Sequence, residues 1–485
     1  MTPEGAGGLS HGELVGLVVK LSAENEVLRA EIAALRAEAA KSSGNSSKPP
    51  SRDPAAERQR QAEARKAKRS GGSKEQRKAG KQPGAPGKTL EMSATPDETV
   101  VCEPGCCGGC GGDLSGGALT GTARRQVVEI PEVKPTVTEY QARTRRCGRC
   151  GSETAGVFPD AARSSTICYG PRLRAVVVYL LARQHIPVAR TQEAMADLFG
   201  VEISAGAIDS AYADAAKGLK GFLAALIMVL RSLPVLHADE TSDRVGTVNC
   251  WMHVVCNGTY TLVHASATRG MDAIVQAGVL IGYRGVVVHD RLAMYWKLKS
   301  AKHGVCAAHL IRDLAAVAAV AGQSAWAGGL ARLLVEINGA CDTARERGLK
   351  AVSAKSRTTF TARYDTLVSE ALAANPDPPQ GHKRTRLQRQ SYNLAVAFQT
   401  HKQPILAYMN NLAVGMTNNQ AERDLRPVKL HRKISSCFKS QTGAERFAAV
   451  RSYLSTTRKN DIPAIDALTR LFNHNPWMPP QPQAA

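Results

Sequence analysis

Apolar and polar positions recur with different periods along the chain. Near the start, Leu14, Leu21, Leu28 and Leu35 fall every seven residues, with Val18, Asn25 and Ile32 in the companion series. This predicts a helix over 1–40 that pairs as a parallel two-stranded coiled coil, its register set by Asn25. A lone amphipathic helix packed on its own protein has the same signature. Residues 171–220 read as helices. Thr191 to Phe199 carries an apolar face, Gly200 ends it, and Ser204 can cap a helix over 205–215. The arrangement is similar to a helix-turn-helix with a turn about two residues longer than the tightest form. Its outward positions Ser204, Ala205, Asp209 and Ser210 are not basic, so a packing role stays open beside a DNA-binding one.

After Leu233 the period becomes that of strands. Residues 233–241 (L-P-V-L-H-A-D-E-T) form a short apolar run ending in acids, the look of a buried strand that delivers a carboxylate at its end. Alternation puts Val235, His237 and Asp239 on one face and Leu236, Ala238 and Glu240 on the other. Residues 249–256 and 259–264 read as a meander around Asn257-Gly258, a strong hairpin signal. A crossover helix is expected over 271–277, a buried strand over 284–290 and a short strand over 305–308. Residues 310–408 are helical in pattern, a helix begins at Asn419, and 430–436 reads as a basic loop. Upstream, 126–130 and 136–143 alternate like the strands of a hairpin.

Composition narrows the function. Lys and Arg number 63 against 42 Asp and Glu, a formal charge of +21, which points to a polyanionic partner, most simply nucleic acid. Much of the excess lies in 41–90, which holds no apolar residue larger than Ala until Leu90 and reads as a disordered basic tether. Residues 1–10 lack the basic and apolar regions of a signal peptide. The longest apolar runs, 175–182 and 222–230, are too short to span a bilayer. A membrane is therefore not an expected partner, and the cytoplasm is the expected compartment. In that reducing setting the twelve cysteines are expected as metal ligands or core thiols. Cys107-Gly-Gly-Cys110 and Cys147-Gly-Arg-Cys150 have the spacing of two zinc knuckles, whose four thiolates suit one structural zinc. Cys102 or Cys106 could replace Cys107.

Three acids carry the candidate chemistry. Asp239 and Asp290 end two strands, and Glu422 stands on the later helix. Brought together, three carboxylates can hold two magnesium ions, or manganese, for phosphodiester chemistry. Each acid also has a plainer reading. Glu240 could be the ligand in place of Asp239, Asp290 could bond the turn before Leu292, and Glu422 stands three after Asn419, the spacing of a capping box.

His237-Ala238-Asp239-Glu240-Thr241, Val288-His289-Asp290 and Asn418-Asn419-x-Ala421-Glu422-Arg423-x-Leu425-Arg426-Pro427 together resemble the DDE transposases of the insertion sequence sixty-six family. So do Asn45-Ser46-Ser47-Lys48-Pro49-Pro50-Ser51, Gln82-Pro83-Gly84-x-Pro86-Gly87 and Leu181-Ala182-Arg183-Gln184-His185-Ile186-Pro187, in order along nearly the whole chain. The resemblance implies a multidomain α+β protein with a ribonuclease-H-like core. Its parts would be a coiled-coil dimerisation helix (1–40), a linker (41–90) and a zinc-binding β region (91–160). A helix-turn-helix-like region (165–230) and the core's first part (231–309) follow, then a helical insertion (310–416), the rest of the core (417–472) and a tail (473–485). It implies Asp239, Asp290 and Glu422 as the catalytic, magnesium-binding triad, with His309 of a C-x-x-H element, Arg423 and Arg426 as supporting or DNA contacts. The partners implied are double-stranded DNA, a second copy of the chain and small accessory proteins, in the nucleoid of a bacterial cytoplasm. The activity implied is cutting transposon ends and joining them to target DNA. The alternatives are a transposon-derived DNA-binding protein without catalysis and a structure-specific nuclease on the same core.

Overall fold

In the computed structural model, the strand that opens at Val235 runs on to Val245 and forms the spine of a five-stranded sheet. The structure describes residues 90–159, 165–378 and 383–481, with isolated positions 15, 16, 56, 59, 60, 63 and 162. The expected coiled coil over 1–40 and the basic linker over 41–90 therefore lie outside the described residues, those positions and Leu90 apart. Two compact units are distinguished, Ala55–Lys134 and the remainder of the chain, and each is described by itself.

In the first unit, the described residues form a turn at the first knuckle. Cys107 N–H donates to the Gly112 carbonyl and Gly111 N–H to the Cys107 carbonyl, both at 2.8 Å. The second knuckle, in the other unit, repeats this turn, with Cys147 N–H to Ser152 O and Gly151 N–H to Cys147 O at 2.8 Å. The glycine after each second cysteine has φ of 75° or 79°, which a side chain would strain. A short hairpin, β1 (Thr144–Arg146) and β2 (Glu153–Ala155), closes the second turn. The strands expected over 126–130 and 136–143 do not form. Their apolar residues have no core to enter: Val127 is 94% exposed and Val137 90%. Alternation alone does not make a strand without a face to bury.

Beyond that hairpin the larger unit continues with helices. α1 (Pro171–Val178) passes through a π turn over Tyr179–Arg183 into α2 (Val188–Phe199). Gly200 ends α2 at a φ of 63°, and the Ser204 hydroxyl caps α3 (Ala205–Gly218) by accepting from Ala207 N–H at 3.1 Å. On the outer side of α3, Asp209 pairs with Arg446 at 3.1 Å. α4 (Lys220–Ser232) is apolar enough to be buried along one side and leads into the sheet.

β3 (Val235–Val245), β4 (Val248–Cys256) and β5 (Thr261–Ser266) form an antiparallel meander, and Asn257 Oδ1 accepts from Thr259 and Tyr260 N–H at its turn. α5 (Met271–Ala277) crosses over to β6 (Val286–His289), which pairs parallel with β3, and β7 (Lys302–Val305) pairs parallel with β6. The order is β5-β4-β3-β6-β7. β7 ends where a strand over 305–308 was expected, because Ala307 already starts α6 (Ala307–Ala318), with Cys306 as its N-cap.

α7 (Ser324–Glu346), α8 (Ala354–Ala373) and α9 (Arg386–Thr400), with the short α10 (Lys402–Ile405) and α11 (Ala407–Asn410), bury their own core around Trp326, Leu330, Tyr364 and Phe398. The chain returns to the sheet with α12 (Asn419–Ser435), α13 (Gln441–Lys459) and α14 (Ala464–Phe472). The loop expected over 430–436 is instead the last turn of α12 through Ser435. Arg432 and Lys433 there favour the helix, since cations complement the negative end of its dipole.

The sheet's two faces differ. Leu236, Ala238 and Val287 enter a core shared with α1, α3 and α4. On the other face the core divides, with Val235 and Val288 joining the insertion's cluster and Met252, Val254 and Val263 joining Leu425 and Phe447. Asp239, paired in register with Val254, falls on this second face.

Candidate active site

The register of β3 against β6 makes the site. Only Val235, Leu236 and His237 pair with β6, and β6 ends at His289. Asp239 and Glu240 thus lie just past the end of the neighbouring strand, and Asp290 is the first residue beyond it. Carboxylate oxygens of Asp239, Glu240 and Asp290 all lie within 4.8 Å of one another. Glu240 does face the opposite core, as alternation predicts, but the missing neighbour leaves an edge around which its side chain approaches the other two acids. It is therefore not the remote residue that alternation suggests.

The three acids differ in their partners. Glu240 is neutralised: Arg269 Nε and Nη2 donate to Oε1 at 3.0 and 2.7 Å, and Tyr295 O–H donates to Oε2 at 2.8 Å. Asp290 Oδ1 accepts from Leu292 N–H at 3.0 Å, so the turn bond considered for it is made with one oxygen. Arg291, between them, holds a φ of 75°, unusual for a side-chain-bearing residue, and pairs with Asp313. Asp239 has only the Glu240 N–H, at 2.9 Å. Burial, then the charges of Glu240, Asp290 and Glu422, push its carboxyl up to about 8.

Glu422 arrives on the first turn of α12. The cap of that helix is Asn418 rather than Asn419, and its side chain makes no capping bond. No capping box forms, which removes that reading of Glu422. The Asn418 amide serves as a clamp instead. Nδ2 donates to Ala238 O at 2.8 Å, Oδ1 meets His237 Nδ1 at 3.1 Å, and the backbone N–H donates to Cys306 Sγ at 3.1 Å. One buried residue thus joins β3, α6 and α12, and sequence reasoning did not assign it this role. The opposite side of α12 is fixed by Asp424, which accepts from Thr261 Oγ1 at 2.8 Å and pairs with Lys459 at 2.6 Å. Glu422 lies within 4.8 Å of Cys306 and His309 through its ligand oxygen. Of the other candidates, Arg423 and Arg426 are exposed on α12, and Arg423 donates to Gln420 at 2.8 Å.

Beside Asp290 opens a cavity of about 420 Å³ lined by Arg291, Asp313, Arg386, Arg389, Gln390 and Asn393. Two arginines of the basic run at 383–389, Arg386 and Arg389, thereby share a cavity wall with Arg291, the residue that follows Asp290.

Comparison with known proteins adds the lineage. The family described as Transposase IS66 family matches residues 166–446, more than half of the chain and all of the elements just described around the acids. The chain belongs to the IS66 transposase family. The zinc-finger binding domain of transposase IS66 matches 104–151, a span that holds both knuckles and leaves Cys102 outside. A family of unknown function matches 9–90. No curated protein matches the chain. Membership in the IS66 family implies transposition, hence action on DNA, and a zinc-binding domain. Among the described residues, no helix is long and apolar enough to cross a membrane.

Proposed function

We propose that this IS66 transposase cuts transposon ends and joins them to target DNA at a site formed by Asp239, Asp290 and Glu422. The observation that carries the reading is the meeting of the Asp239 and Asp290 carboxylates beyond the ends of adjacent parallel strands, with Glu422 delivered by a helix clamped to Ala238. The mixed sheet, antiparallel over three strands and parallel over the next two, supports a ribonuclease-H-like core.

The residues fit divalent cations. Asp239 is half-buried, crowded by like charge and paired with no cation, so a bound ion would relieve its repulsion. Asp239, Asp290 and Glu422 would hold magnesium or manganese, which supplies activation of the attacking oxygen and neutralisation of the leaving one. Arg269 and Tyr295 hold Glu240 as a fixed support behind Asp239. Arg291, Arg386 and Arg389 lie where they would neutralise backbone phosphates. The reaction is hydrolysis of a phosphodiester at each end, followed by attack of the freed 3′-hydroxyl on target DNA. For the zinc-binding domain, the matching turns support Cys107 as the counterpart of Cys147, with Cys110 and Cys150 completing the ligands. Hydrogen bonds from the backbone at Gly109 lower the Cys107 thiol, and those from Ser152 lower Cys150, which favours thiolates. A second copy of the chain, paired through 1–40, and accessory proteins complete the reading.

Cleavage and strand transfer on transposon-end DNA test it. Asp239→Asn, Asp290→Asn and Glu422→Gln should each lower activity by a factor on the order of 1,000 or more, with double variants little worse than singles. DNA affinity without metal should persist. Asp365→Asn, exposed and paired with Lys402 far along the insertion, should stay active. Full activity in Glu422→Gln would overturn the triad, and inactive parent protein on every end sequence would favour a DNA-binding protein without catalysis.

A further inference from the structure

Where α6 meets α12, ligand-bearing side chains of three different chemistries converge. Cys306, the N-cap of α6, is completely buried, His309 stands in the first turn of α6, and Glu422 in the first turn of α12. One ligand atom of each lies within 4.8 Å of the other two. We propose that Cys306, His309 and Glu422 form a binding site for a soft divalent transition metal, zinc above all.

The donor set decides the class of ion. Thiolate, imidazole and carboxylate together suit zinc or cobalt, whereas magnesium and calcium take oxygen ligands. Around a tetrahedral zinc the ligand atoms stand about 3.6 Å apart. The present spacing, within 4.8 Å, lies above that value. Three protein ligands leave the fourth position for water or another donor.

The surroundings are those of a ligand set rather than of inert packing. His309 Nδ1 is buried and has no hydrogen-bond partner, a lone group of the kind that native interiors rarely tolerate. Asn418 N–H donates to Cys306 Sγ at 3.1 Å, and the amides of Ala308 and His309 also turn to the sulfur at the helix start. Such donors stabilise a thiolate at the helix start.

The assignment needs nothing from the transposase reading, because metal binding is measured without DNA. It does share Glu422 with that reading. An ion held by Cys306 and His309 would draw the third acid to the α6 side, so zinc and magnesium would compete for it.

Cobalt is the probe, since sulfur ligation gives a charge-transfer band and tetrahedral geometry gives strong visible absorption. The full-length protein is dialysed against cobalt in excess magnesium, in parallel with Cys306→Ser and His309→Gln. Each variant should bind one equivalent fewer than the parent, and the parent-minus-variant spectrum should show both features. Cys110→Ser, in a knuckle, should lose cobalt without removing that difference. Should Cys306→Ser fail to fold, His309→Gln at the half-buried position decides alone. Equal cobalt content in parent and variants, with a flat difference spectrum, would overturn the site.

Discussion

Asp239 keeps its proton to about pH 8 in the metal-free fold, because burial and the acids around it all disfavour its charge. An ordinary aspartate in the unfolded chain loses that proton near pH 4. Between those values the folded state holds a proton that the unfolded state lacks, so stability is fully present at low pH and is lost as pH rises toward 8. Asp239→Asn removes the charge and keeps the shape. In chelator, the variant should melt above the parent at pH 8.5, by about 1 °C for each kcal/mol relieved in a chain of this size, and the gap should close toward pH 4. Magnesium should raise the parent and leave the variant unchanged. A parent and variant with the same pH dependence in calorimetry would show that Asp239 is not under this repulsion. Burial raises the neighbouring Glu240 carboxyl too, but there the hydrogen bonds from Arg269 and Tyr295 oppose the shift.

At the scale of elements, α12 is a helix positioned by its ends rather than by its apolar face alone. Asn418→Ala removes two side-chain bonds, to Ala238 and His237, and leaves buried partners unmatched. That should cost about 1–3 kcal/mol and lower the rate of cleavage more than it weakens DNA binding, read by thermal unfolding and single-turnover assays. Unchanged cleavage would show that Glu422 does not depend on this clamp. How far such elements could be read beforehand varied with what fixes them. β3, β4, β5 and α5 were legible because period, hairpin turn and glycine C-caps act locally, and α5 begins and ends where expected. The strands over 126–143 were misread because alternation carries no information on whether a face exists to bury it. The nearness of Glu240 to Asp290 was hidden for a related reason. It follows from how far β6 runs beside β3, which no local pattern records. The Asn418 clamp depends on contacts across most of the larger unit, and only the motif around it pointed there.

Over the whole molecule, positive charge is arranged at two ranges. The stretch over 48–88 is rich in Lys and Arg, while Arg386 and Arg389 line the cavity that Arg291 also lines. Both should appear in the salt dependence of DNA binding, with different signatures. Deleting 48–88 should flatten the slope of log binding constant against log salt by several units and leave turnover of bound DNA intact. Arg386→Ala with Arg389→Ala should change the slope by about two and slow cleavage as well. A double variant that cleaves normally would place the bound backbone elsewhere. The clamp between Asn418 and Ala238 joins positions 180 residues apart, with the insertion between them. A ribosome adding about 5–20 residues per second needs on the order of ten to forty seconds to travel from one to the other. For most of that interval the nascent chain carries its basic N-terminal stretch and both Asp239 and Asp290, yet it lacks Glu422. On the proposed triad, a message broken within the insertion should yield a product that grips DNA without cutting it, and that product, added to the full-length protein, should lower its cleavage of transposon ends.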